Sequence, residues 1–533
     1  MHSSTKSNLL IASCYAGILA LGMVVGPKLG LESHAAKSGN YLPSLSGGEE
    51  KVEQVLEIIR ENYVDPVKVD TLQNLAINQI LSHLDPHSSY LPPVKAREQS
   101  QDLEGNYYGI GVEYTLLRDT MLVTTVKHGP AERAGIGAGD KILQIGAKKI
   151  AGTHTSSKEI VALIKGRAGT SVSLMVKKRE ENKLQRIVVK RDKITVSSID
   201  AAYMLTPTVG YVKISKFGAA TAEDFSLEMG RLQNNSMKSL ILDLRHNGGG
   251  YLNAATALAD EFLPDKQLIV YTQGEHEPRT DYFATNSGKF EHGRLILLID
   301  ESTASASEVV AGAIQDLDRG TVIGRRSFGK GLVQGQFNFG DGSALNLTIA
   351  RYYTPLGRSI QRPYKMSQEE YFQETSKRLQ QSEASIVDSV SDKKHSYKTG
   401  SGRVLYDGGG ITPDIHIPVD TSSFNSFYYA LREKGILTEF LFSKIIGTYT
   451  PASIKNIIDQ YHLNDNQYQE LISMAIKSGI KTNSRMNEIA REAVNTEIKA
   501  LLGKVYFGDE AYYRVLNARD KVIARSLQEL KQP

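Results

Sequence analysis

Two short apolar stretches, SLILDLR (239–245) and RLILLID (294–300), constrain the fold of this chain more than any other feature. A strand that is apolar along its whole length must be covered on both faces, as happens in parallel sheets. Each stretch is followed by a loop of small residues and a helical pattern, and a third strand, TVIG, follows at 321–324. Strands that alternate with helices predict parallel pairing, with ligands bound at the carboxyl ends of the strands.

The loop ESTASASE (301–308), which follows the second stretch, contains a candidate nucleophile. Ser305 stands between a buried strand and a helix, where unpaired N–H groups and the positive helix end suit a developing oxyanion. The small neighbours Ala304 and Ala306 would let a substrate backbone approach. Helix capping explains the same residues, and a tight turn explains the glycines at 248–250 after the first stretch. From these loops alone, both interpretations stay open.

A lone lysine, Lys330, ends the string GRRSFGK, which matches the spacing of a phosphate-binding loop. That motif requires Ser or Thr next and then a helix, whereas Gly331 and a strand-like alternation follow here. A lysine enclosed by glycines and Phe328 can instead be a desolvated general base, because burial lowers the pKa of an amine. An ordinary solvated loop lysine is the alternative.

Composition excludes several classes of function. Lys and Arg number 63 against 59 Asp and Glu, a net charge of +4, and no basic run is interleaved with aromatics, which argues against nucleic-acid binding. The single cysteine, Cys14, excludes an internal disulfide and a cysteine zinc site, and no H-E-x-x-H pair occurs. No G-x-S-x-G elbow occurs either. We therefore expect no metal and no nucleotide cofactor.

The 533 residues suggest three or four compact units. The apolar run Leu9–Val25 after Lys6 favours an uncleaved membrane anchor, with a cleaved signal peptide as the alternative. The predicted fold is a multidomain α/β protein. Its predicted parts are an anchor and linker start (1–36), a helical segment (49–102), a small β-rich module (103–192), an α/β core (193–420) and a helical region (421–533). The core is predicted to carry a polar, irregular and solvated insertion at about 365–402.

Several ordered motifs resemble the carboxyl-terminal processing peptidases, or tail-specific proteases, which are Ser/Lys serine endopeptidases with a PDZ domain. STASASEVVAGAIQD followed by GRRSFGKGLVQ is similar to the nucleophile and base segments of that family. LDLRHNGGG, YYGIGVEY, GPAERAGIGAGDKIL, LDPHSSYL and GGGITPDI also resemble family landmarks, so the similarity runs from about residue 50 to 420. The resemblance implies a mixed α/β protease core with an inserted β-rich PDZ domain; the helical C-terminal region lies outside the shared core.

The resemblance also assigns roles. Ser305 would be the nucleophile and Lys330 the general base, with Gln334 holding one of them in place. The amide of Ala306 and that of a glycine in the 248–250 loop, with Gly249 preferred, would form the oxyanion hole, and Ser307 would be structural. Many relatives have proline before the glycines where this chain has RHNGGG, so which glycine donates stays open.

In the β-rich module, the amides of Ile110, Gly111 and Val112 would hold the terminal carboxylate of a substrate tail that pairs as an added strand. The implied partners are proteins with apolar C-terminal tails, and an adaptor or self-association through the C-terminal helices is a further hypothesis. The implied location is the cell envelope, on the periplasmic side of the inner membrane, anchored or secreted. The PDZ module could also gate the site. A non-catalytic envelope scaffold is the rival reading, and Ser305, Lys330 and Gln334 together argue against it.

Overall fold

The computed structural model describes residues 51–126, 129–179, 181, 183–285, 288–364, 367–378, 395–420 and 423–532. The predicted anchor, including Leu9–Val25, lies outside these ranges. None of the helices within them is both long and apolar enough to cross a membrane.

The chain divides into two compact units, residues 1–73 and 74–533. Helix α1 spans Lys51–Asn62 and helix α2 spans Val69–Ser82, where apolar residues recur at helical spacing. Strand β1 (Ser89–Leu91) and helix α3 (Pro93–Glu104) follow. The segment predicted as helical, 49–102, is therefore mostly helix in its described part.

A six-stranded sheet forms the centre of the α/β core, in the order β10-β11-β12-β15-β16-β21. The two stretches that opened the sequence analysis are neighbours in it and pair in parallel, with Ile241 opposite Ile296 and Leu242 opposite Leu297. Only β10 runs antiparallel to its neighbour. The strands are β10 (Ile199–Thr206), β11 (Val209–Ile214), β12 (Ser239–Asp243), β15 (Arg294–Ile299), β16 (Thr321–Gly324) and β21 (Ile415–His416). The predicted parallel sheet is confirmed.

Helices cover both faces of this sheet, as its two-sided apolar strands require. One face, which includes Leu242 and Leu297, packs against α6 (Thr221–Asn234), α7 (Leu252–Asp260) and α8 (Ala306–Asp316). The other face, which includes Ile241, packs against Val522 and Ile523 of the last helix.

Two helices at the end of the chain reach the α/β core. Helix α16 (Lys521–Glu529) packs on it, and α15 (Asp509–Asn517) bridges two apolar cores: Tyr513 packs on the cluster of the sheet, whereas Val515 is buried among the helices that precede it. The sequence interpretation placed them in one helical region, 421–533, because an amphipathic pattern does not reveal which surface its apolar face covers. The remaining helices of that region pack on one another around a separate apolar core: α10 (Ser426–Glu433), α11 (Ile436–Phe440), a π-helical turn (Leu441–Ile445), α12 (Ile454–Gln460), α13 (Asp465–Lys477) and α14 (Ser484–Phe507).

The β-rich module is a sheet in the order β3-β4-β5-β7-β8, with β6 on β5, around its own apolar core. Strands β2 and β9 pair at the entry and exit of the module. Its elements are β2 (Asn106–Gly109), β3 (Val112–Leu117), β4 (Thr120–Val126), α4 (Pro130–Arg133), β5 (Lys141–Ile145), β6 (Lys148–Lys149), α5 (Ser157–Ile164), β7 (Ser171–Lys177), β8 (Leu184–Lys190) and β9 (Asp192–Thr195).

A second, antiparallel sheet lies beside the core and carries the strand that follows Lys330. Its order is β1-β18-β13-β14, with β17 also paired to β18. The strands are β13 (Leu268–Gln273), β14 (Thr280–Phe283), β17 (Leu332–Asn338) and β18 (Ala344–Tyr353).

The predicted polar insertion contains regular structure. Helix α9 spans Gln368–Arg378, and strands β19 (Ser396–Lys398) and β20 (Val404–Tyr406) form a hairpin. The expectation of an irregular, solvated segment is therefore wrong for 368–378. Its polar composition conceals one deeply buried residue, Tyr371, which is 1% exposed.

Candidate active site

Ser305 is held in a backbone conformation that L-residues rarely adopt. It immediately precedes α8 and has φ +55° and ψ −117°. A positive φ outside glycine costs energy and persists only where the surroundings impose it, as at functional sites. The Ala304 N–H donates to the carbonyl of Asn247 at 3.0 Å, which ties this turn to the end of the neighbouring strand. Ser305 thus stands at the carboxyl edge of the sheet and at a helix N-terminus, as predicted.

A buried carboxylate, Glu308, joins the serine turn to the lysine loop. Its Oε2 accepts the N–H of Ser305 at 2.8 Å and the N–H of Lys330 at 2.9 Å. Its Oε1 accepts the Gly329 N–H at 2.7 Å and the Ser327 hydroxyl at 2.5 Å. The side chain is fully buried, and burial raises its pKa. Sequence analysis missed Glu308, although Ser-x-x-Glu before a helix is the capping-box pattern.

Lys330 and Gln334 are in direct contact. The Lys330 Nζ donates to Gln334 Oε1 at 2.9 Å, and Gln334 Nε2 donates to the carbonyl of His87 at 2.6 Å. Gln334 lies on β17, where the pairing with β18 shifts register between Val333 and Gln334. The structure therefore brings the predicted base and its predicted partner together and adds His87 as a third member.

The Lys330 amine is in an environment that favours its neutral form. Burial lowers its pKa, and the carboxylates of Asp85 and Glu308 oppose that shift by raising it. Within the described ranges, no carboxylate forms an ion pair with the amine. A neutral amine at working pH is what a general base needs.

His87 belongs to the LDPHSSYL motif, which sequence analysis noted without assigning it a role. The Asp85 carboxylate orients this loop by accepting the N–H groups of His87 and Ser88 at 2.8 and 2.9 Å. The His87 ring lies 3.0 Å, Nε2 to hydroxyl, from Tyr371. Burial, and then the charge of Lys330, lowers the pKa of His87 to about 4. His87 is therefore neutral near pH 7.

The glycine loop 248–250 packs directly on the serine turn. Gly249 has φ +101°, and a Cβ there would lie 2.8 Å from both the Ala304 carbonyl oxygen and the Ser305 Cβ. Gly249 therefore has to be glycine. Its N–H donates to Oδ1 of Asn247 at 2.9 Å, so this candidate oxyanion donor already has an acceptor. Asn247 is fully buried, and its Nδ2 donates to the Ile214 carbonyl at 3.1 Å.

Ala306 and Ser307, the next two residues after the candidate nucleophile, have different surroundings from each other. Ala306 is the first residue of α8, a position whose N–H has no intrahelical acceptor. Ser307 is fully buried and donates its hydroxyl to the Asn247 carbonyl at 3.0 Å. In the described part of the chain, no hydrogen bond joins the Ser305 hydroxyl to the Lys330 amine. The two residues are linked through Glu308 instead.

The predicted tail-binding residues Ile110, Gly111 and Val112 lie in the β-rich module, at the turn from β2 into β3. Gly111 has φ +77°, and the Ile110 carbonyl accepts the Ala131 N–H at 2.8 Å. Strand β3 is an edge strand of its sheet. The Tyr114 hydroxyl reaches from β3 to the Ser157 carbonyl at the start of α5, 3.2 Å away.

The described ranges contain no group of three or more His, Cys, Asp or Glu side chains placed to hold a metal ion.

Comparisons with known proteins identify families for the α/β core, the β-rich module and the C-terminal helices. The model of peptidase family S41 matches residues 208–365, a PDZ domain model matches 122–178, and a family of unknown function matches 427–508. The chain is 37% identical over 313 residues to a carboxy-terminal-processing protease of Bartonella bacilliformis, covering 58% of this chain and 71% of that protein.

It is 31% identical over 439 residues to carboxy-terminal processing protease CtpB of Bacillus subtilis, covering 80% of this chain and 88% of that protein. Among solved structures, the photosystem II D1 C-terminal processing protease matches at 24% identity and a TM-score of 0.36, over 70% of this chain and 88% of that chain. The identity and coverage of the two bacterial relatives, with the matched domains, show that the chain belongs to the carboxy-terminal processing proteases, which are PDZ-containing serine proteases of peptidase family S41.

Proposed function

We propose that this protease is an endopeptidase that cleaves proteins through an acyl-enzyme on Ser305, with Lys330 as the general base. One observation supports this above the others: Glu308 binds the backbones of Ser305 and Lys330 at one oxygen, and the Lys330 amine beside them is desolvated and bonded to Gln334. A structural lysine would gain nothing from this arrangement, because burying an amine costs free energy.

In the first step, the neutral Lys330 amine removes the proton from the Ser305 hydroxyl as Oγ attacks the carbonyl carbon of the scissile peptide. The C–N bond then breaks, and the amine leaving group takes a proton from Lys330. A water molecule then attacks the resulting ester while Lys330 again accepts a proton. The bond from the acyl carbon to Ser305 Oγ breaks, Lys330 returns the proton to Oγ, and the carboxylate product leaves. To take the proton from Ser305, the Lys330 amine must turn from Gln334 toward the Ser305 hydroxyl. Catalytic hydrogen bonds often form only when substrate is bound.

The oxyanion would be held by the Ala306 N–H and one amide of the glycine loop. Ala306 lies at the positive end of α8, which favours negative charge. If Gly249 is the second donor, its N–H must turn from Asn247 Oδ1 to the substrate oxygen. Gly248 is the alternative donor in the same loop.

Tail recognition is proposed for the PDZ domain. Strand β3 is at the edge of its sheet, where a substrate tail would add as a further strand, and the turn at Ile110, Gly111 and Val112 would receive the terminal carboxylate. Helix α5, which the Tyr114 hydroxyl of β3 contacts at Ser157, contributes the apolar residues Ile160 and Ile164 to the core of the module. The proposed substrates are proteins with apolar C-terminal tails.

For the location, we favour the cell envelope, with the apolar run Leu9–Val25 as the anchor and the catalytic domains on the periplasmic side of the inner membrane. Self-association or adaptor binding through the helices of 427–508 stays a hypothesis.

The test is cleavage of an unstructured protein with an apolar C-terminus by the full-length protease, without added metal or ATP. The variants are Ser305→Ala and the matched control Ser302→Ala, which changes an exposed serine three positions away. We expect the wild type and Ser302→Ala to cut and Ser305→Ala not to cut. Equal cleavage by all three would place the nucleophile elsewhere, and tail binding without cleavage by any of them would favour a scaffold.

A further inference from the structure

Helix α9 (Gln368–Arg378) lies beyond the matched S41 segment, 208–365, yet it packs on the loop that carries Lys330. Arg378, the last residue of α9, donates from Nη1 to the Ser327 carbonyl at 3.1 Å and from Nη2 to the Phe328 carbonyl at 3.4 Å. The Arg378 side chain is only 11% exposed. A surface helix of an insertion would not ordinarily bury a guanidinium against another loop.

A second arginine, Arg362, connects the same helix to the same loop. Its guanidinium carbon lies 3.9 Å from the ring centroid of Phe328 and 3.8 Å from that of Tyr371, so it stacks between the two rings. Its Nη1 donates to Glu374 at 2.6 Å, and its backbone N–H donates to the Gly329 carbonyl at 3.0 Å.

Glu374 of α9 pairs both arginines, since its other oxygen lies 3.1 Å from Nε of Arg378. One carboxylate thus connects the two cations that hold the loop. Tyr371, one turn earlier, reaches the other side of the site, because its hydroxyl contacts the ring of His87, whose carbonyl accepts from Gln334.

The loop 327–331 is therefore held from two sides. On the inner side, Glu308 accepts the N–H groups of Gly329 and Lys330. On the outer side, the carbonyls of Ser327, Phe328 and Gly329 all accept from Arg378 or Arg362. The inner contacts come from α8, whereas on the outer side Arg378 belongs to α9 and Arg362, which precedes α9, is joined to it by Glu374.

We propose that α9 holds the lysine loop, residues 327–331, in place and that Arg378 and Arg362 are positioning residues for Lys330. We call this set of contacts, made by Arg378, Arg362 and Glu374, the clasp. The inference rests on the proposed role of Lys330 as the base and assigns to an appended helix the task of keeping that base in place. A displacement of about 1 Å at a reacting group can lower a rate about 100-fold, so a clasp of this kind acts on catalysis rather than on substrate affinity.

The experiment uses the full-length protease, the unstructured substrate with an apolar C-terminus, and four variants. Arg378→Ala removes the clasp, Arg378→Lys keeps the charge and one donor, and Lys330→Ala tests the base. Glu369→Ala is the matched control, an exposed residue of α9 whose carboxylate accepts from Gln373 of the same helix.

For Arg378→Ala we expect kcat to fall about 10- to 100-fold with KM within about twofold, partial recovery in Arg378→Lys, and wild-type values for Glu369→Ala. We also expect the low-pH limb of kcat/KM to move to higher pH. An open loop admits water to the amine, which raises the pKa of Lys330, and a base must be neutral to act. The charged and titratable groups around that amine are Asp85, His87 and Glu308. The charge of Arg362 also lowers the pKa of His87. Arg378→Ala changes none of these four residues.

Wild-type kcat and an unmoved pH limb in a folded Arg378→Ala would overturn the clasp. If Arg378→Ala melts far below the wild type, Glu374→Gln is assayed instead, because it weakens the links to both arginines at a partly exposed position; wild-type behaviour there would overturn the clasp equally. Full activity in Lys330→Ala would refute the base assignment itself, which separates failure of the proposed function from failure of the clasp.

Discussion

The backbone N–H groups of Ser305 and Lys330 donate to the same atom, Oε2 of Glu308, at 2.8 and 2.9 Å. The two residues come from different elements, the start of α8 and the loop before β17. A single buried carboxylate therefore sets the separation of the candidate nucleophile and the candidate base, and it does so through their backbones rather than through the side chains that react.

The first prediction concerns that carboxylate. Glu308→Gln places an amide N–H₂ among four donors, so at least one buried donor loses its acceptor, at a cost of about 1–3 kcal/mol in the free energy of unfolding. We expect kcat/KM to fall about 100-fold or more, because the backbones of Ser305 and Lys330 are no longer bound to one carboxylate oxygen and the reacting groups shift apart. Urea unfolding and steady-state kinetics check this. The matched control is Glu223→Gln, an exposed glutamate in the first turn of α6; an equal loss there would contradict the assignment.

The second prediction concerns pH. Burial lowers the pKa of Lys330, so its neutral form appears below the ordinary lysine value of 10.5. Activity should rise with pH through that lowered pKa, since only the neutral amine can take a proton. Gln334→Glu puts a carboxylate beside the amine, which favours the charged form of Lys330 and raises its pKa. The low-pH limb of kcat/KM should therefore move to higher pH by about one unit or more. The pH profile of kcat/KM measures this, and a downward shift would exclude Lys330 as the titrating base.

The third prediction separates the two glycines. Gly249→Ala adds a Cβ 2.8 Å from the Ala304 carbonyl oxygen and the Ser305 Cβ at a positive φ, so we expect about a 100-fold loss of kcat/KM. Gly248→Ala is the matched control, because a Cβ there meets nothing within 4 Å.

Gly248→Pro extends this test to the oxyanion donor. Proline has no N–H, so retained activity would exclude Gly248 as the donor and support Gly249, whereas a loss of activity in a folded Gly248→Pro would favour the Gly248 amide. The rate of acylation, measured as the burst on an activated ester, reports the donor directly.

The fourth prediction concerns the last helix. Ile523 is 2% exposed and shares an apolar cluster with Tyr211 and Ile241 of the six-stranded sheet, so Ile523→Ala should lower the free energy of unfolding by about 2–5 kcal/mol. Ile476→Ala, at a 56% exposed site in α13, should change it by no more than about 0.5 kcal/mol. Urea unfolding compares the two. Equal effects would mean that the C-terminal helix does not complete the protease core.

Much of the fold could be read from local pattern. The continuously apolar strands predict a sheet covered on both faces, and SLILDLR and RLILLID are neighbours in it as expected. The position of Ser305 at a strand end and a helix start follows from the same pattern. These features depend on residues close together in sequence, and hydrophobic periodicity is a local signal.

Contacts between distant segments could not be predicted in this way. No spacing rule relates Glu308 to Lys330, Arg378 to Phe328, or Val522 to Ile241, because each pair meets only when separate elements pack together. The polar composition of 365–402 hid α9, whose proposed role depends on the one face that carries Tyr371, Glu374 and Arg378. The sequence by itself determined the parallel sheet, the loops at its edge and the residue types available there. Only the tertiary structure decided which of them touch, because burial and hydrogen-bond geometry are properties of the packed chain.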